Sequence, residues 1–172
     1  MDSLQIANCI DHTLLKPGVT SEMINALCSS AIEHKFYSVC INPSRVQQAT
    51  EYLSSSKVKV CSVIGFPLGA TSTVSKLQEL EFCILNGARE IDMVINIGYF
   101  IDGKLMYVSD EISKVVTNAS GIIIKAIIET ALLNNDEIIK ASKLVEESGA
   151  HFVKTATGYS KPGVTTKIIN LI

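Results

Sequence analysis

Ile122-Ile123-Ile124-Lys125-Ala126-Ile127-Ile128 is the run from which the fold can be read. It is apolar at almost every position, whereas a strand with one wet face would alternate apolar with polar. Continuous Val, Ile and Leu mark a strand buried on both faces, the situation of a parallel strand covered by helices. Working outward, the same kind of run recurs at 58–64, 91–97 and 152–156, with shorter ones at 9–14 and 38–41. Between them the apolar positions change period. Ile24, Leu27, Cys28, Ala31 and Ile32 follow i, i+3, i+4, i+7, i+8 spacing and predict a helix over 20–34. Helical spacing returns from Val46 to Leu53 and over 74–85, 105–116 and 138–145. Six strands with five helices between them, repeating every 20–30 residues or so, predict βα units in a parallel α/β sheet. Asn86-Gly87-Ala88 and Ser148-Gly149-Ala150 precede two of the strands alike, each glycine a helix C-cap candidate. No linker or charge block divides the chain, so residues 1–172 read as one domain.

Three charged residues contradict the apolar rule. Asp92 lies inside Glu90-Ile91-Asp92-Met93-Val94-Ile95-Asn96, Lys125 inside the run quoted above, and Lys154 inside Phe152-Val153-Lys154-Thr155-Ala156. They fall on successive strands, so in neighbouring strands they converge on one interior space, where an unpaired charge costs several kcal/mol. Two readings follow. In one, the three form a structural ion-pair network, Asp92 neutralising one lysine and Glu129 the other. In the other, they do chemistry. A lysine amine attacks a carbonyl only when neutral, and both desolvation and a second ammonium disfavour its charged form. Lys125 beside Lys154 supplies that condition, and Asp92 is the carboxylate that could move protons as a carbinolamine forms and collapses. The pattern suits Schiff-base aldol chemistry with no metal and no organic cofactor.

Composition narrows the field further. The 172 residues are 47% hydrophobic and 19% charged, and the formal charge of −2 is spread along the chain, which argues against a nucleic-acid partner. Apolar runs of a few residues and the absence of a basic-then-apolar start give the expectation of a cytoplasmic chain without a membrane partner. Cys9, Cys28, Cys40, Cys61 and Cys83 have irregular spacing without CxxC pairs and are expected to be reduced core residues. His12, His34 and His151 show no metal-ligand spacing, and His34 is expected at a helix end on the surface. Gly65-Phe66-Pro67-Leu68-Gly69-Ala70-Thr71 is a Gly/Pro loop entering a helix. Its amides could hold an anion, but a plain turn asks for the same residues.

At these residues the chain resembles the deoxyribose-phosphate aldolase family over 10–165. The matching segments, in order, are Ile10-Asp11-His12-Thr13-Leu14-Leu15-Lys16-Pro17, Val39-Cys40-Ile41-Asn42-Pro43, VIGFPLGATST at 63–73, EIDMVINIG at 90–98, KAIIET at 125–130 and FVKTATG at 152–158. Six segments in the right order and spacing are highly specific. The resemblance implies a TIM-type (β/α)8 barrel that cleaves 2-deoxyribose 5-phosphate reversibly to acetaldehyde and glyceraldehyde 3-phosphate. It implies Lys154 as the Schiff-base nucleophile, Asp92 in the proton relay, Lys125 lining the same pocket, and Gly158 where phosphate-binding loops begin. The family continues past the sixth strand with two more βα units, the seventh strand carrying a second catalytic lysine. The expectation is therefore a C-terminally truncated barrel of about six units, against about 250 residues for a typical full one. Three explanations stay open: a piece of a longer enzyme, an impaired or inactive fragment, or a chain completed by other copies. Apolar sheet edges would favour self-association.

Overall fold

In a computed structural model, which describes residues 3–172, six strands alternate with helices in chain order. The strands are β1 (Asp11–Leu14), β2 (Ser38–Ile41), β3 (Lys59–Ile64), β4 (Glu90–Val94), β5 (Ile123–Ile127) and β6 (Phe152–Lys154). The helices are α1 (Ser3–Ala7), α2 (Ser21–His34), α3 (Val46–Tyr52), α4 (Thr73–Leu85), α5 (Ile97–Ile101), α6 (Leu105–Asn118), α7 (Asn135–Glu147) and α8 (Thr166–Ile169). The sheet has strand order β1-β2-β3-β4-β5-β6, the sequential order that βα units produce. Contacts group the chain into two compact units, Met1–Val63 with Glu81–Glu90, and Ile64–Leu80 with Ile91–Ile172.

In the first unit, β1 pairs with β2 and β2 with β3, both parallel, with Cys40 opposite Thr13 and Cys61. All four residues of β2 are buried, as a strand covered on both faces requires. α2 starts where the sequence places it. The Thr20 side chain accepts from the Met23 amide, and Lys35 takes the left-handed conformation that ends the helix. Ile24, Leu27, Cys28 and Ala31 form its buried stripe. Burial pushes the Cys28 thiol up to about 11. Two expectations need correction. β1 begins at Asp11 rather than Cys9, because residues 8 and 9 form the turn leaving α1. Cys9 is exposed there and is not a core residue, while the other four cysteines are buried. His34 does sit at the exposed end of α2, yet it is not remote from His12. Both rings pack on Phe36, and burial followed by the His34 charge lowers the His12 pKa.

In the second unit, β5 and β6 are parallel, with Lys125 opposite Phe152, Ala126 opposite Val153 and Ile127 opposite Lys154. α6 and α7 cover them with strongly one-sided faces, Val108, Ile112 and Val115 on one, Ile138, Ala141 and Val145 on the other. α7 begins in a full capping box, Asn134 and Glu137 each accepting from the other's backbone amide. Among the described residues no helix is long and apolar enough to cross a membrane.

Candidate active site

Asp92, Lys125 and Lys154 are brought together, as the sequence leads one to expect. Asp92 is the third residue of β4, a strand buried at every position. Its Oδ1 lies 3.3 Å from Lys125 Nζ, and its Oδ2 accepts a hydrogen bond from Lys154 Nζ. Strand parity explains the convergence. Lys125 pairs with Phe152 and Ile127 with Lys154, so the two lysines sit at positions of equal parity and point to one face of the sheet, about two residues apart along it. The carboxylate is 1% exposed, Lys125 10%, and Lys154 30%. One buried negative charge therefore serves two amines, and the Lys154 side chain is left partly open to solvent. Glu129 does not take the second-lysine role that the structural ion-pair reading gave it. Its Oε2 accepts instead from the backbone amide and the hydroxyl of Thr157, three residues beyond Lys154.

The segment following β6 carries Gly158, which is exposed and left-handed, with φ 86° and no atom within 4 Å of where a Cβ would stand. It is tied to the segment following β5 by Ile128 N to Lys154 O (3.0 Å) and Thr130 N to Thr155 O (2.8 Å). These rungs continue the parallel ladder beyond the regular strands, so the turn from Thr155 to Gly158 lies directly after the amine.

A second buried lysine escaped sequence reasoning. Lys76 of α4 is wholly buried, donates to Glu111 Oε2 at 2.7 Å and to Val94 O at 2.8 Å, and so fastens the end of β4 two residues after Asp92. Burial lowers its pKa, and the neighbouring Glu111 carboxylate opposes the shift. A signal was present: Glu111 falls with Val108, Ile112 and Val115 at i, i+3, i+4, i+7 spacing, a charged residue inside an apolar stripe. The Gly/Pro loop between β3 and α4 folds over this pair. Gly65 takes φ 61°, and a Cβ there would stand 2.6 Å from the Lys76 side chain. Gly69, with φ 67°, lies so close to the Ile95 carbonyl that a Cβ would overlap it. Close backbone approach thus accounts for both glycines. His151 also has a structural partner, its Nδ1 accepting from the Ile124 amide at 3.1 Å.

A profile of DeoC/LacD family aldolases matches residues 6–169. The deoxyribose-phosphate aldolase of Bdellovibrio bacteriovorus is 50% identical over 169 residues, covering 98% of this chain and 77% of that protein. The Clostridium kluyveri enzyme of the same name is 48% identical over 173 residues, covering 100% and 79%. Among solved structures, the tetrameric deoxyribose phosphate aldolase of Aeropyrum pernix superposes with a TM-score of 0.92 at 29% identity, over 99% of this chain and 72% of that one. An aldolase named QR15 superposes at 0.93 with 36% identity, over 96% and 74%. The chain thus spans about three quarters of the length of these relatives.

Proposed function

The chain belongs to the DeoC/LacD family of aldolases, carbon–carbon lyases, and we propose that it cleaves 2-deoxyribose 5-phosphate reversibly to acetaldehyde and glyceraldehyde 3-phosphate through a Schiff base on Lys154. The observation that carries this reading is the contrast among three lysines of one unit. Lys76 is sealed, Lys125 is nearly so, and Lys154 alone joins a buried carboxylate while keeping 30% of its side chain accessible. Of these three side chains, that of Lys154 is the most open to an electrophile from solvent.

In this reading the Lys154 amine adds to C1 of the open-chain sugar, and loss of water from the carbinolamine leaves an iminium. The C2–C3 bond then breaks, the C3 hydroxyl losing its proton as C3 becomes the aldehyde of glyceraldehyde 3-phosphate and the bonding pair forms an enamine. Protonation at C2 and hydrolysis release acetaldehyde and restore the amine. Asp92, within reach of both amines, carries protons on and off the nitrogen and oxygen centres, alone or through a water. Lys125 adds a second cationic group on the same carboxylate, which disfavours charging both amines together. Gly158, open and left-handed in the turn after β6, is read as the start of the phosphate-binding loops, a role that its open space and bare backbone support. Family-wide coverage of 6–169 supports treating the chain as one barrel-type domain, and the tetrameric Aeropyrum pernix relative supports association of copies.

Borohydride reduction in the presence of acetaldehyde tests the assignment. An N-ethyl group on Lys154, found by peptide mass mapping and absent from Lys154→Leu, is the expected result. Labelling at another lysine, or equal labelling of the variant, overturns it.

A further inference from the structure

Glu129 occupies an unfavourable place for a glutamate. Its backbone is left-handed, with φ 50°, a region that L residues other than Asn, Asp and Gly seldom adopt. The residue is 2% exposed, and its Oε1 is buried without a hydrogen-bond partner. The side chain does not serve the helical turn that follows: the Glu129 carbonyl accepts from the Leu132 amide at 3.0 Å, but the carboxylate makes no cap bond there. All its side-chain hydrogen bonding goes to Thr157, whose amide donates at 3.2 Å and whose hydroxyl donates to the same oxygen, Oε2. The Thr157 hydroxyl in turn accepts from the Tyr159 amide at 3.1 Å, across Gly158. One carboxylate oxygen therefore fixes a turn that begins at the amine of Lys154 and ends beyond Gly158.

We propose that Glu129 is a positioning residue: its buried carboxylate straps the turn from Thr155 to Gly158 to the end of β5 and holds it in the conformation that receives the phosphorylated end of the substrate. This rests on the aldolase reading of Lys154 given above. Two ladder bonds already hold the backbone as far as Thr155. Beyond that point, among the described residues, the ties from β5's end are those of Glu129 to Thr157, so their loss loosens Thr157 and Gly158 while leaving Lys154 in place.

Glu129→Asn makes the cleanest test, because asparagine tolerates the left-handed backbone but is one methylene too short to span to Thr157. Glu129→Gln restores the length. For Glu129→Asn the ratio of kcat/KM for 2-deoxyribose 5-phosphate to that for 2-deoxyribose is expected to fall at least tenfold, through KM of the phosphorylated sugar. Reductive trapping of acetaldehyde on Lys154 should stay within threefold of the parent, and Glu129→Gln should recover most of the ratio. Amide exchange at Thr157, read by NMR on the full chain, should accelerate at least tenfold in Glu129→Asn and less in Glu129→Gln. An unchanged ratio with normal trapping, or unchanged exchange at Thr157, overturns the proposal. Absence of acetaldehyde trapping in the parent protein would instead bring down the Schiff-base reading, and the exchange comparison would still decide whether the strap exists.

Discussion

Replacing Glu111 by Gln leaves the Lys76 amine facing a neutral amide in a site where both side chains are wholly buried. At 2.7 Å and an effective dielectric near 20, the attraction lost is about 6 kcal/mol. Desolvation of the two ions offsets part of what the pair contributes, and breaking a buried pair from one side costs about 3–5 kcal/mol in practice. For 172 residues an unfolding entropy of about 2.1 cal/mol/K per residue gives roughly 0.36 kcal/mol/K, so the melting temperature should drop by about 8–14 °C. Lys76→Met should lose a similar amount, since it leaves the buried Glu111 carboxylate, among the described residues, with the Thr73 hydroxyl as its side-chain donor, 3.3 Å from Oε1, and removes the bond to Val94 O. The double variant Lys76→Met with Glu111→Leu should recover most of the loss, because packed apolar groups replace a buried pair at little cost. Calorimetry on the four proteins reads the cycle. The pH dependence carries a definite sign. Burial holds Lys76 below the ordinary lysine value, so between the two values the unfolded chain binds a proton that the folded chain has shed, and stability rises with pH there. That rise should vanish in Lys76→Met. Single variants that melt within 2 °C or so of the parent, or a double variant no better than either single, would refute the argument that this pair is a mutually dependent buried unit.

Three further outcomes are expected. Asp92→Asn should lower kcat by about 10²–10⁴-fold, the range for removal of a general acid–base group, while acetaldehyde can still be trapped on Lys154 at long times; a kcat within fivefold of the parent would remove Asp92 from the proton relay. Gly69→Ala should destabilise by more than the roughly 1–2 kcal/mol of a left-handed alanine, because its Cβ also meets the Ile95 carbonyl, whereas Gly158→Ala, with open space around it, should cost only the backbone term; equal melting temperatures for the two variants would contradict this. In native thiol titration Cys9 should react fast and the four buried cysteines slowly. The Cys28 thiol, raised to about 11, should add a loss of stability as pH climbs from about 9 through 11, since only the unfolded chain then releases that proton easily; Cys28→Ala should show a shallower alkaline decline.

The longer elements were legible because their apolar residues keep a clear period. α2 carries an apolar stripe from Ile24 to Ile32 that places it to within a residue, whereas its left-handed stop falls on Lys35, a residue type that signals no such stop. β1 was misjudged at its start because Cys9 and Ile10 are as apolar as a strand, and nothing local says that the turn from α1 consumes them. The short helix α5 was hidden for the same reason, Ile97 continuing an apolar run while the Asn96 side chain caps a new turn by accepting from the Tyr99 amide. The convergence of Asp92, Lys125 and Lys154 was legible because charge inside an all-apolar strand is costly wherever the strand is buried, and parity then fixes which faces meet. Lys76 and Glu129 obey the same logic but stand where the sequence offers an innocent alternative, a helix surface for one and a loop for the other. Their burial follows only when the loop over Lys76 closes with its two left-handed glycines and when the turn after β6 comes back over β5's end. A charged residue in a strand declares itself locally, whereas one in a helix or loop is made costly, and so informative, by segments distant along the chain.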